Sequence, residues 1–269
     1  MKKHVTSLML MLLAYTLGAQ QTKVYLGLGG INHSFQDARF SNVVYSKFSF
    51  LPELGFTRVS DDNYFHANGS FFSYLAKFPF IDTIQTTVLS YNARLGFLKA
   101  IKPGLYVGIN WDVLDFYKRK TNFLGNNADA YKLSSDFYLS AKYLKKITDL
   151  WALEFGLDLG FLTFVNTEPS FTANYQQNLV DKGEITFIED ETRSPYKISN
   201  MDARFFWKQF NLRSQIELSF RRKWSINYTW DLRRFSDYKG YPVTDARHKF
   251  TLRFHFISHL KKNKNETTN

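Results

Sequence analysis

Two kinds of residue grouping in this sequence could do chemistry. The first is LWALEFGLDLGFLTF, Leu150 to Phe164, which sets Glu154 and Asp158 between Leu and Phe neighbours with no base beside them. A carboxyl group kept from water is a candidate general acid or base. The second is a histidine near a carboxylate, as in His33 with Asp37 and Asp245 with His248, a couple that can activate water. Neither spacing is distinctive, and no Ser or His is placed in a recognisable acyl-transfer set. The chain has no cysteine and six scattered histidines, so nothing resembles a metal site. GLGG at Gly27–Gly30 lacks the helix that a nucleotide loop needs, and no cofactor is expected.

The elements that must position these groups are strands. In the opening stretch Trp151, Leu153, Phe155, Leu157, Leu159 and Phe161 fall on one face of a period-two pattern, and Glu154, Gly156, Asp158 and Gly160 on the other. A helix would mix the two sets. The same alternation runs through Leu105–Val113, Leu212–Phe220, Trp224–Arg233 and Lys249–Phe256, and more weakly through Val24–Leu28, Phe48–Phe56, Phe65–Leu75, Leu89–Phe97 and Phe137–Tyr143. About ten strands of roughly 11–15 residues result, long enough to cross an apolar band of ~25 Å when tilted. Short links at Ser60–Asn63, Ile101–Gly104, Lys145–Asp149 and Arg222–Lys223 alternate with expected longer ones at Phe35–Ser46, Thr121–Leu133, Val165–Trp207 and Asp237–Ala246; Pro79–Ile84 is brief. After Val113 the apolar phase switches, since Leu114 and Phe116 now oppose Asp115 and Tyr117. A bulge near the outer rim explains this economically; the alternative is that the strand leaves the membrane there.

This is the pattern of an all-β, antiparallel, up-and-down transmembrane β-barrel of about ten strands, apolar outside and polar within. Aromatic residues make up 18% of the chain and charged ones 22%. A soluble domain could hardly hide so many rings beside so much charge, whereas a barrel in lipid turns them outward. On that assignment Glu53, Asp112, Asp136, Glu154, Asp158, Glu217 and Asp231 face the lumen, against Arg94, Lys142, Arg213, Arg233, Lys249 and Arg253, with His255 beside them. A barrel of this size is filled by its own side chains, so these charges are expected to pair across strands, Arg213 being the candidate partner of Asp158. A narrow polar conduit and a catalytic or ligand site remain as the other two readings. Lys118, Arg119, Lys120, Arg204, Lys208, Arg234 and Lys239 gather near outer strand ends among Phe116, Tyr117, Phe205, Trp207 and Tyr238. They suit an aromatic girdle with cations toward lipopolysaccharide phosphates.

The ends fit export. Lys2 and Lys3 precede an apolar run, Leu8–Leu17, too short to span a bilayer, and LGAQQ offers a cut after Ala19 with Leu17 three positions before it. Residues 1–19 are thus expected as a leader, 20–257 as barrel and 258–269 as a polar tail. The net charge of +11 would suggest nucleic acid as partner in another compartment; here no nucleic acid is expected. The link from Val165 to Trp207 holds EITFIEDE and is the expected place for closing the mouth or contacting another envelope protein.

With strands, links and leader in place, the chain resembles small outer-membrane β-barrel proteins of Gram-negative bacteria over nearly its whole mature length. HKFTLRFHF, His248–Phe256, looks like the aromatic-ended last strand that such proteins present to the barrel-assembly machinery, although ISHLKKNKNETTN continues beyond it. The AQ after the leader and the Phe/Tyr richness look most like barrels of Bacteroidota. The resemblance implies a monomeric outer-membrane protein with lipid and lipopolysaccharide as surroundings and a structural, surface-interaction or accessory role. A channel for small solutes and a rim-sited protease or lipid-modifying enzyme are the alternatives.

Overall fold

The structure, a computed structural model, describes residues 21–37, 41–78, 81–123, 126–168, 201–236 and 242–260. The expected leader, the end of the tail and EITFIEDE lie outside these residues. Eleven strands follow one another: β1 (Gln21–Asp37), β2 (Ser41–Val59), β3 (Asn63–Phe78), β4 (Ile81–Lys102), β5 (Leu105–Phe123), β6 (Asn126–Lys146), β7 (Trp151–Glu168), β8 (Asp202–Phe205), β9 (Gln209–Phe220), β10 (Trp224–Phe235) and β11 (Val243–Leu260).

All are antiparallel, and the sheet closes on itself. β1 pairs with β2 on one side and β11 on the other; β6 pairs with β7, which pairs with β9. The short β8 continues the line of β9 along the upper part of β7, the two being separated by the turn at Phe206–Lys208. They share one position in the wall, so the barrel is ten-stranded. The even number returns both ends of the described wall to the same rim, where Gln21 lies opposite Leu260.

The strands are longer than their apolar alternation predicts. Most of the expected long links are themselves ladder: Phe35 pairs with Tyr45, Phe116 with Leu133, and Thr121 with Ala128. β7 runs on to Glu168, and β11 begins at Val243. What remains between strands at this rim is short except for residues 169–201. The physical reason is that backbone pairing needs no apolar side chain. Above the apolar band both faces are polar, as in NNADAYK at Asn126–Lys132, and the period-two signal vanishes while the ladder persists.

At the other rim the turns are tight. Gly104, with φ 77°, supplies the left-handed residue between β4 and β5. Between β9 and β10 that conformation falls on Arg221 and Arg222, at φ 49° and 58°. The phase switch in β5 is a bulge: the register shifts between Asp112 and Asp115 against β6, and opposite the same point against β4. Outward faces carry Leu28, Phe50, Leu54, Phe97, Ile109, Leu157, Ile216, Ile226 and Phe250, all exposed; inward positions are mostly buried and polar.

Candidate functional site

The lumen is crossed by charged side chains, and the bulge in β5 sits among them. Three residues apart on a regular strand, Asp112 and Asp115 would face opposite ways. The extra residue turns both inward, and both are 0% exposed. Asp112 accepts hydrogen bonds from Arg94 Nε at 2.7 Å, Arg213 Nη2 at 2.7 Å and Arg233 Nη2 at 3.3 Å. Arg213 also contacts Asp231 and reaches Asp158 at 3.3 Å, directly across the β7–β9 ladder; Lys249 adds a 2.8 Å contact to Asp231. Asp158 is further held by Asn110 at 2.8 Å. Asp115 is gripped by Arg233 and by Arg247 at 3.2 Å, and Arg247 chelates Asp245 through Nε at 3.0 Å and Nη2 at 2.6 Å. Asp136 takes hydrogen bonds from Ser134, Thr163 and Asn211 at 2.9, 2.7 and 3.2 Å and lies 3.7 Å from Arg233.

Nearer the tight-turn rim is a second cluster. Arg253 forks onto Glu53, Nε to Oε2 at 3.1 Å and Nη2 to Oε1 at 2.9 Å, and its third nitrogen meets Glu217. Asn68 adds 3.0 Å to Glu53. Lys142 reaches Glu154 at 2.7 Å, and Tyr64 donates to the same oxygen at 2.9 Å. The Tyr25 ring lies under the Arg253 guanidinium at 4.6 Å, and a side chain at Gly55 would collide with that ring. Between them the two clusters draw groups from all ten wall positions. Each of these carboxylates has a base within 4.0 Å, several of them shared, as burial demands, because a buried charge without a partner costs several kcal/mol. Among the ion pairs, cavities of about 40 and 20 Å³ beside Arg253 and Arg94 leave room for a few waters, and a larger one of about 290 Å³ lies at the tight-turn rim.

Every residue expected in the lumen faces it, and Asp158 does meet Arg213. Asp115, Lys132 and Arg247 join them without having been read from sequence; Lys132 stands 3.9 Å from Asp115. The bulge and the loss of phase above the apolar band hid them. Two members of the expected cationic rim are misplaced. Arg119 is buried with its guanidinium 4.9 Å over the Phe35 ring, and Arg204 lies 5.3 Å over Phe235, so both turn inward, as does Tyr117. Lys118, Lys120, Lys208 and Arg234 are exposed on the outside; Lys239 and Tyr238 lie outside the described residues.

The two His–Asp couples recombine. His33 Nε2 is 3.0 Å from Asp245, and its Nδ1 is 2.8 Å from the Tyr74 hydroxyl. His248, three residues from Asp245 and so on the opposite face, lies outside against Tyr228 at 2.8 Å. Asp245 and His248 therefore do not meet, and the Asp37 side chain lies outside the described residues. Among the described residues, no cluster of three His, Cys, Asp or Glu side chains is placed to hold a metal.

No family model and no curated protein matches the chain. Solved barrels resemble it in outline. The translocator domain of the autotransporter NalP from Neisseria meningitidis is 8% identical, with 95% of this chain and 96% of that one covered at a TM-score of 0.47. Neisserial surface protein A is 8% identical, covering 87% and 97% at 0.36. Ail of Yersinia pestis is 9% identical, covering 87% and 99% at 0.29. At these TM-scores no inference about role is drawn from them; the closed ladder itself defines the fold.

Proposed function

We propose that the chain is an outer-membrane barrel with a shut lumen, serving as a structural, surface-interaction or accessory protein of the envelope. The observation that carries this is the pairing of an apolar exterior with an interior tied off by ion pairs and the hydrogen bonds that join them, drawn from every wall position. Only an inverted surface of this kind makes sense with lipid outside, because lipid removes the need to bury Leu, Phe and Trp. The rim with tight turns then lies in the periplasm, together with both ends of the described wall, and the extended hairpins rise outside the cell. Exposed Lys118, Lys120, Lys208 and Arg234 sit where lipopolysaccharide phosphates would meet them. Residues 169–201 remain the candidate contact with another envelope protein. The leader, the final aromatic strand and the Bacteroidota-like composition favour delivery by the assembly machinery of such an organism.

Against the conduit reading stand the small cavities among the ion pairs, about 40 and 20 Å³, room for a few waters; the larger one, about 290 Å³, lies at the tight-turn rim beside Lys146, Asp149 and Arg222. The enzyme reading loses its rim couples: His33 is fully buried, and both its ring nitrogens are engaged. The test is fractionation with heat-dependent gel migration. Recovery in outer membranes with a folded form that shifts on boiling is expected; recovery in the soluble periplasm would overturn the reading.

A further inference from the structure

The ladder between β2 and β3 is incomplete. β2 and β3 pair from Val59↔Tyr64 up to Glu53↔Ser70 and no further. Continuing that register would match Pro52 with Phe71 and so on to Tyr45 with Phe78, eight positions at which no pairing forms. Both strands stay paired on their other sides, β2 with β1 as far as Ser41 and β3 with β4 as far as Phe78. Pro52, which has no amide hydrogen to donate, stands where the ladder stops. An unpaired strand edge is costly in hydrocarbon, so a seam at this height calls for a purpose.

What lies on either side of the seam is apolar. Its outer lips are Phe48 and Phe50 on β2, 70% and 60% exposed, and Phe71 and Leu75 on β3, 45% and 49% exposed. Behind it, in a lumen otherwise crowded with charge, is a buried layer of Ile31, Leu51, Phe72, Val88 and Tyr117. Two polar contacts hold the lips together. Ser49 Oγ donates to the Ser73 carbonyl at 2.7 Å, standing in for a ladder bond, and Tyr74 is tied to His33, itself braced by Asp245. Lys47, exposed at the upper end, lies across the ladder from inward His33 and so stands at the lumen mouth.

We propose that the β2–β3 seam is a lateral gate, closed here, through which a hydrocarbon chain from the surrounding bilayer enters the apolar layer of the lumen. The occupant is a lipid acyl chain, because the outer lips and the layer behind them are both apolar. The inference rests on the membrane reading above. Opening parts the Ser49–Ser73 and His33–Tyr74 contacts, and no ladder pairing holds the described residues above Glu53↔Ser70.

The chain's lack of cysteine makes the test clean. Purified protein is reconstituted in phosphatidylcholine vesicles containing a diazirine-labelled fatty acid, irradiated, and adducts are mapped by mass spectrometry. Adducts on Ile31, Val88 or Tyr117 are expected beside those on outward residues. Oxidised Phe48→Cys/Leu75→Cys should lose the inner adducts at least tenfold and regain them on reduction, while Leu54→Cys/Gly69→Cys, placed in the paired part, should keep them. Val88→Trp, which enlarges a side chain of the layer on β4, next to the seam, should lose them without any cross-link. Adducts confined to outward residues in the unmodified protein, or inner adducts unchanged by the seam disulfide and by Val88→Trp, would overturn the gate. A co-purifying polypeptide linked at the lips would overturn it in favour of a strand-donating partner. Heat-shifted migration of the same samples separates a failed gate from a failed membrane reading.

Discussion

At the scale of single residues, the lumen turns on Asp112. It accepts from three arginines on three strands, so removing its carboxylate leaves Arg94, Arg213 and Arg233 short of charge. Asp112→Ala is expected to destabilise the barrel by about 3–5 kcal/mol, the range for breaking a buried ion pair, read as a lowered urea midpoint in detergent. Asp158→Asn keeps the shape and the Asn110 contact and should cost less. The sequence made such residues legible wherever apolar alternation assigned a face: thirteen expected lumen charges lie inside because their neighbours are Leu, Val and Phe on the other side. Asp115 was not legible as a lumen acid because one inserted residue inverts the parity after Val113. Arg119, Arg204 and Arg247 lie farther along, where both faces are polar and parity has no marker.

At the scale of elements, existence and end differ in how they are encoded. The crossing part of each strand is written in its side chains, whereas the extensions of β5 and β6 beyond Phe116 and Leu133 are written only in backbone pairing. The tight-turn rim was readable from Gly and Pro at Lys102–Gly104, but the β9–β10 turn places two arginines in left-handed backbone. A non-glycine residue there carries strain, so Arg222→Gly should raise stability by about 1 kcal/mol, checked by the same denaturation. The unfinished β2–β3 ladder is announced only by Pro52. Filling that gap with a donor, Pro52→Val, should increase amide protection of β3 above Ser70 in hydrogen exchange; unchanged protection would mean that proline does not set the break.

At the scale of the molecule, inside and outside are exchanged relative to a soluble domain. Leu157 is 54% exposed on the outer face, next to buried Asp158. Leu157→Arg is therefore expected to cost ~2–4 kcal/mol and to lower the yield of inserted barrel, more than Asp158→Asn does. The reverse order would mean that the two faces are wrongly assigned. Glu154 and Asp158, met first as carboxylates stranded among apolar residues, have Lys142 and Arg213 across the strand and belong to the lumen wall. The central claim is that the ion pairs inside this wall shut the lumen, and single-channel recording in planar bilayers tests it most directly. Pure protein, inserted as judged by its heat-shifted migration, is predicted to give a silent baseline. Reproducible conductance steps, lost on boiling the sample, would contradict it.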